Sequence, residues 1–119
     1  MKRLLIQCIF LLSGMCCGSA MAHALLERSV PASGAMLNNA PATVTIFFDS
    51  ELEPVFSKLI VKTDQGQQVS QGNGNVASGD AKSLSVNVLT KAKSVYHVYW
   101  DVVSRDGHHA RGEFTFTVK

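Results

Sequence analysis

From about residue 25 onward, apolar and polar side chains alternate with a period of two, and no stretch carries the 3.6-residue spacing of an amphipathic helix. Val44, Ile46 and Phe48 share one face of residues 43–48, and Leu84, Val86 and Val88 share one face of 83–88, opposite Ser83, Ser85 and Asn87. Tyr96, Val98, Trp100 and Val102 alternate with His97, Tyr99 and Asp101, while Phe114, Phe116 and Val118 alternate with Thr115 and Thr117. Such runs predict half-buried β-strands. Residues 56–63 predict a further strand with a less regular face, and 25–30 an edge strand. Pro31-Ala32-Ser33-Gly34, Asn38-Asn39-Ala40-Pro41, Asp64-Gln65-Gly66 and Asp106-Gly107 supply turns between them. Residues 69–80, rich in Gly, Ser, Asn and Gln, read as a mobile loop. Six or seven short strands, one carrying the single tryptophan, predict an all-β fold: an antiparallel β-sandwich of immunoglobulin-like type with about seven strands. Its core is expected around Trp100, Phe48, Phe114 and Phe116.

The first 22 residues follow another pattern. Lys2 and Arg3 precede an almost wholly apolar run over 4–13, and Ala20-Met21-Ala22 offers the small-x-small sequence that signal peptidase reads. The apolar run is too short for a membrane span, which needs about 20 apolar residues. A secretory signal peptide over 1–22 leaves one domain over 23–119 and exports it to the periplasm. Ala22-His23-Ala24 also fits the cleavage pattern, so a cut after Ala24 is the alternative. Cys8, Cys16 and Cys17 all lie in the leader, so the mature domain has no disulfide and no thiolate ligand. Met15 and Cys16 are poor residues ahead of a lipidated cysteine, which argues against a lipoprotein. Without Lys2 and Arg3, nine basic residues face nine acidic ones. That balance leaves no basic patch for nucleic acid and no charge-driven attachment to a membrane.

Cleavage after Ala22 changes what His23 can do. A histidine at a free N-terminus presents its α-amine and ring Nδ1 to one ion as a chelate, which no internal histidine can. Downstream, Ser104-Arg105-Asp106-Gly107-His108-His109 sets a carboxylate and an imidazole two residues apart, with Gly107 permitting a tight backbone. His23, Asp106 and His108 together offer three nitrogens and one oxygen. That donor set suits one Cu(II) ion, and the lack of thiolate argues against structural zinc. Cu(I) prefers thioethers, and Met36 is the only methionine after residue 22. Binding must displace the ammonium proton of His23, whose ordinary pKa is about 7.7–8.0. Each residue has a plainer reading as well. Asp106-Gly107 alone is a common hairpin turn, and His97 on the outer face of its strand is expected to be solvated. His109 should point away from His108. Asp49 and Glu51 are either site carboxylates or ordinary loop residues, and Trp100 belongs to the core.

Several local strings recur in one order: His23-Ala24 at the leader junction, Ser29-Val30-Pro31, Phe48 with Leu52-Glu53-Pro54 and Phe56-Ser57, and Tyr96 through Trp100 running into Val103-Ser104. The closing string runs from Asp106-Gly107-His108 through Gly112-Glu113-Phe114 to Val118. In this combination the mature chain resembles the CopC family of periplasmic copper-binding proteins, including its YobA-type members, over essentially its whole length. The resemblance implies a Greek-key β-sandwich with a Cu(II) site made by the amine and Nδ1 of His23, by Asp106 and by His108. It also implies a carrier or buffer in copper homeostasis and resistance, not an enzyme, with an inner-membrane CopD-type protein as partner; a monomer is expected, though the sequence does not give the oligomeric state. Two departures stand out. The family's Phe-Ser-Glu turn reads Phe48-Asp49-Ser50-Glu51 here, with Ser50 at the glutamate position, so Asp49 or Glu51 would have to substitute. No methionine-rich loop for Cu(I) exists in 69–80, which implies a Cu(II)-only member.

Two other function classes fit parts of the pattern. Lytic polysaccharide monooxygenases also chelate copper through an N-terminal histidine, but they need an open copper position that Asp106 would occupy, and broad substrate loops for which this chain has little room. A metal-free immunoglobulin-like interaction module would result if cleavage after Ala24 removed His23.

Overall fold

In the described residues, eight strands form two four-stranded sheets. The structure, a computed structural model, describes residues 24–119. The expected leader with its cysteines, its expected cleavage position and His23 lie outside the described residues. In chain order the strands are β1 (Leu26–Val30), β2 (Met36–Leu37), β3 (Thr43–Phe48), β4 (Lys58–Thr63), β5 (Asn75–Ala77), β6 (Asp80–Asn87), β7 (Ser94–Val103) and β8 (His109–Val118). A 3₁₀ turn at Pro54–Phe56 leads into β4. One sheet is ordered β1-β3-β6-β5 and the other β2-β8-β7-β4. Apart from the β5–β6 and β7–β8 hairpins, each connection crosses between the sheets, which gives the Greek-key sandwich. One pairing departs from antiparallel: Met36 and Leu37 lie parallel to Thr117 and Val118.

The period-two pattern becomes the core directly. Val44, Ile46, Phe48 and Leu84 from one sheet meet Leu59, Val61, Val98 and Phe116 from the other, all essentially inaccessible to solvent. Tyr96 stacks on Phe116 with ring centroids 5.2 Å apart, and its hydroxyl donates to the Ala92 carbonyl, so the polar group in the stack is satisfied. Trp100 is only half-buried. It meets Phe48 edge-on at 6.4 Å and Phe114 at 6.0 Å, and its cross-strand partner is Gly112. A Cβ at Gly112 would fall 2.2 Å from the indole, so the ring lies directly on the bare backbone of β8.

Residues 69–80 are not the mobile loop that their composition predicts. Val69 is buried; its amide donates to the Val61 carbonyl at 2.9 Å, and its carbonyl accepts from Leu89 at 2.8 Å. Ser70 Oγ accepts from the Val61 amide at 2.9 Å, and β5 closes the edge of its sheet on β6. This edge is held by backbone hydrogen bonds with few apolar side chains, so hydrophobic alternation does not reveal it. Strands β7 and β8 likewise run further toward their hairpin than the pattern predicts. Their ladder continues through the charged pair Asp101 and Arg111, 3.1 Å apart.

Candidate metal centre

The β7–β8 hairpin ends in the segment Ser104 to His108. Gly107 takes a φ of +87°, which glycine adopts without steric cost, and its amide donates to the Ser104 carbonyl at 2.8 Å. The Ser104 amide in turn donates to the His108 carbonyl at 3.0 Å. This closed turn brings Asp106 and His108 side by side, with His108 Nδ1 3.0 Å from Asp106 Oδ2. The other carboxylate oxygen, Oδ1, accepts from the hydroxyl of the buried Ser104 and from the His108 amide at 3.3 Å. The Ser104 hydroxyl first, and the His108 ring second, hold the Asp106 carboxyl down to about 2 from an ordinary 3.8. An ionised carboxylate and an imidazole therefore converge at half-exposed positions.

The neighbouring segments are tied to this turn. Arg105 Nη1 lies 2.5 Å from Glu51 Oε2, its amide donates to the Glu51 carbonyl at 3.0 Å, and Leu52 bridges to Ser104. Two residues before Glu51, Asp49 Oδ1 accepts from the Leu25 amide at 2.8 Å, and the Asp49 amide donates back to the Leu25 carbonyl at 3.0 Å. Ala24 is 3% exposed and belongs to the hydrophobic core. The first described residues are thus anchored at the end of the sandwich that carries Asp106 and His108.

Of the residues named from sequence, the fold brings together Asp106 and His108, while His23 lies outside the described residues. Asp49 and Glu51 are engaged by Leu25 and Arg105. His109 is exposed on the outer face of β8, with Nδ1 3.7 Å from Asp101 Oδ1. His97 is paired rather than simply solvated: Nε2 is 2.9 Å from Asp64 Oδ1, and the ring stacks near Tyr99 at 6.3 Å. Among the described residues no group of three or more His, Cys, Asp or Glu side chains is placed to hold a metal ion, so a complete site needs a donor from elsewhere. Pattern alone does not single out Ser104, the Glu51–Arg105 pair or the Asp49–Leu25 contact. The signals that do exist are that Ser104 sits in the same short run as Asp106 and His108, and that Asp49 and Glu51 lie in the turn where the resemblance expects a carboxylate; neither gives their partners.

A sequence profile of the CopC domain matches residues 26–119. The chain belongs to the CopC family. The protein YobA of Escherichia coli K12 is 33% identical to it over 102 residues, 85% of this chain and 82% of YobA. The copper transport protein CutJ of Bacillus subtilis is 29% identical over 101 residues, which are 84% of this chain and 19% of CutJ. The crystal structure of PcoC, a methionine-rich copper resistance protein from Escherichia coli, superposes with a TM-score of 0.72 at 27% identity, covering 82% of this chain and 100% of that one. Against that methionine-rich relative, this CopC-family chain keeps one methionine among its described residues. It is Met36, 63% exposed on β2, at the end of the sheet away from the Ser104–His108 turn. No helix among the described residues is long and apolar enough to cross a membrane.

Proposed function

We propose that this CopC-family protein is a periplasmic copper carrier or buffer that holds one Cu(II) ion through the amine and Nδ1 of His23, the Asp106 carboxylate and the His108 imidazole. The reading requires export and cleavage after Ala22. The observation that carries it is the anchoring of Ala24 and Leu25 at the end of the sandwich where Asp106 and His108 converge. Consecutive Cα atoms are about 3.8 Å apart, so a residue bonded to Ala24 has little freedom to leave that end. Two nitrogens supplied there would complete a three-nitrogen, one-oxygen set, which suits Cu(II). Residues 24–119 contain no cysteine, and their one methionine, Met36, lies away from the turn, which argues against a soft-metal site.

Copper is cargo in this reading, and the protein acts as a monomer and not as an enzyme. The half-exposed ligands allow the ion to arrive and leave. An inner-membrane protein of CopD type is the expected recipient. In CutJ the matching segment is 19% of a longer protein named for copper transport.

The test is one equivalent of Cu(II) added to protein purified after native export, with the new N-terminus fixed by intact mass. The expected result is a type-2 electron paramagnetic resonance spectrum with nitrogen hyperfine structure from a chain beginning at His23. A chain beginning at Leu25, or one that leaves the added copper in its aqueous form, would overturn the proposal.

A further inference from the structure

Asp49 stands out among the charged groups near the turn because its bond is to the main chain of the first described strand. In a regular antiparallel ladder, two residues of a hydrogen-bonded pair exchange both amide-to-carbonyl bonds. Leu25 and Asp49 exchange only one in that way, the Asp49 amide donating to the Leu25 carbonyl at 3.0 Å. The other bond goes from the Leu25 amide to the side-chain Oδ1 of Asp49 at 2.8 Å. The carboxylate replaces the carbonyl that a continued ladder would use, and Ser50 Oγ steadies the same oxygen at 3.2 Å. Immediately before this clasp, Ala24 enters the core.

We infer that Asp49 is a positioning residue for copper: its carboxylate clasps the Leu25 amide and so fixes the direction in which the chain leaves Ala24 toward His23. The inference rests on the reading of His23 as a chelating terminus. It assigns Asp49 a support role rather than a ligand role. A chain held on both backbone groups of Leu25 leaves less of itself to be ordered when an ion binds. Without the clasp, the terminal residues fray and must be ordered when the ion arrives.

The variants Asp49→Ala and Asp49→Asn separate the roles, because asparagine keeps an acceptor oxygen and loses the charge. Both are compared with wild type and His23→Ala as natively exported protein. Amide hydrogen exchange at Leu25 is followed in the apo state, and Cu(II) affinity and the paramagnetic resonance spectrum in the loaded state. Asp49→Ala is expected to speed exchange at Leu25 and to weaken Cu(II) binding roughly tenfold, the effect of losing one charge-assisted hydrogen bond, with the spectrum unchanged. Asp49→Asn is expected to stay close to wild type in all three. Faster exchange with unchanged affinity in Asp49→Ala would make the clasp merely structural and overturn the inference. Equal losses in both variants with an altered spectrum would overturn it in favour of direct ligation. If His23→Ala binds copper as wild type does, the chelate reading itself fails and takes this inference with it, an outcome recognised even where the Leu25 amide behaves as expected.

Discussion

Two histidine–aspartate pairs lie near opposite ends of β7 at almost the same separation. His108 and Asp106 are 3.0 Å apart at the hairpin end, and His97 and Asp64 are 2.9 Å apart toward the other end. The six residues from His97 to Val103 put about 20 Å of strand between them. Distance alone cannot tell a metal site from a surface ion pair; the surroundings can. Asp106 and His108 sit on one closed turn, their carboxylate fixed by the buried hydroxyl of Ser104, beside the anchored start of the domain. Asp64 and His97 come from two separate segments, have no serine clamp and lie beside Tyr99 and Lys62. In the proposed copper site the first pair would meet the donors of His23. The second joins a turn to a strand.

The comparison breaks most sharply at the N-terminus. If His23 is the chelating terminus proposed above, one alanine added ahead of it would remove the amine–imidazole chelate, and Cu(II) affinity should fall on the order of 10²–10⁴-fold by competition titration, as expected when linked donors are uncoupled. A drop no larger than twofold would leave the hairpin pair with no advantage over the distal one. Next in size is His108→Ala, which should cost at least the roughly 10- to 100-fold that loss of even a supporting residue costs a metal site.

Acidity gives a graded test. Protons compete with the ion for the amine and imidazole donors, so Cu(II) affinity should fall as pH drops. Asp106 should add nothing to that slope, because its carboxyl is held at about 2. For folding the sign is the usual one for a depressed carboxylate. Its contribution is complete above the ordinary value of 3.8 and is lost as pH falls toward about 2. Ser104→Ala removes the largest cause of the depression, and carbon-detected NMR titration should show the Asp106 carboxyl moving upward. The smallest effects belong to the distal pair. His97→Ala should change Cu(II) affinity less than twofold and stability by less than about 1 kcal/mol, as for other exposed ion pairs. A large copper effect there would erase the distinction between the two ends.

The buried strands were legible because alternation and burial coincide in β3, β6, β7 and β8. The edges were not. The region of Val69 to Ala77 is mostly Gly and polar residues joined through their backbones, with Val69 and Val76 too far apart to show a period, and the parallel β2 is two residues long, too short to carry one. At the candidate centre, Asp106 and His108 could be read because two residues and a glycine define their geometry locally. Its supports could not, since Glu51 meets Arg105 across 54 positions and Asp49 meets Leu25 across 24. Such contacts come into being only when the sheets assemble.

The indole of Trp100 on the backbone of Gly112 has a practical consequence. It is the single tryptophan, half sheltered between Phe48 and Phe114, and four residues, about 13 Å of strand, separate it from Ser104. Its emission therefore reads two different events. Unfolding strips away its aromatic neighbours and shifts the colour, whereas a paramagnetic ion held at the hairpin would dim the light without moving the wavelength. The molecule carries its own gauge for loading and for collapse, and a fluorimeter can tell the two apart with no label attached.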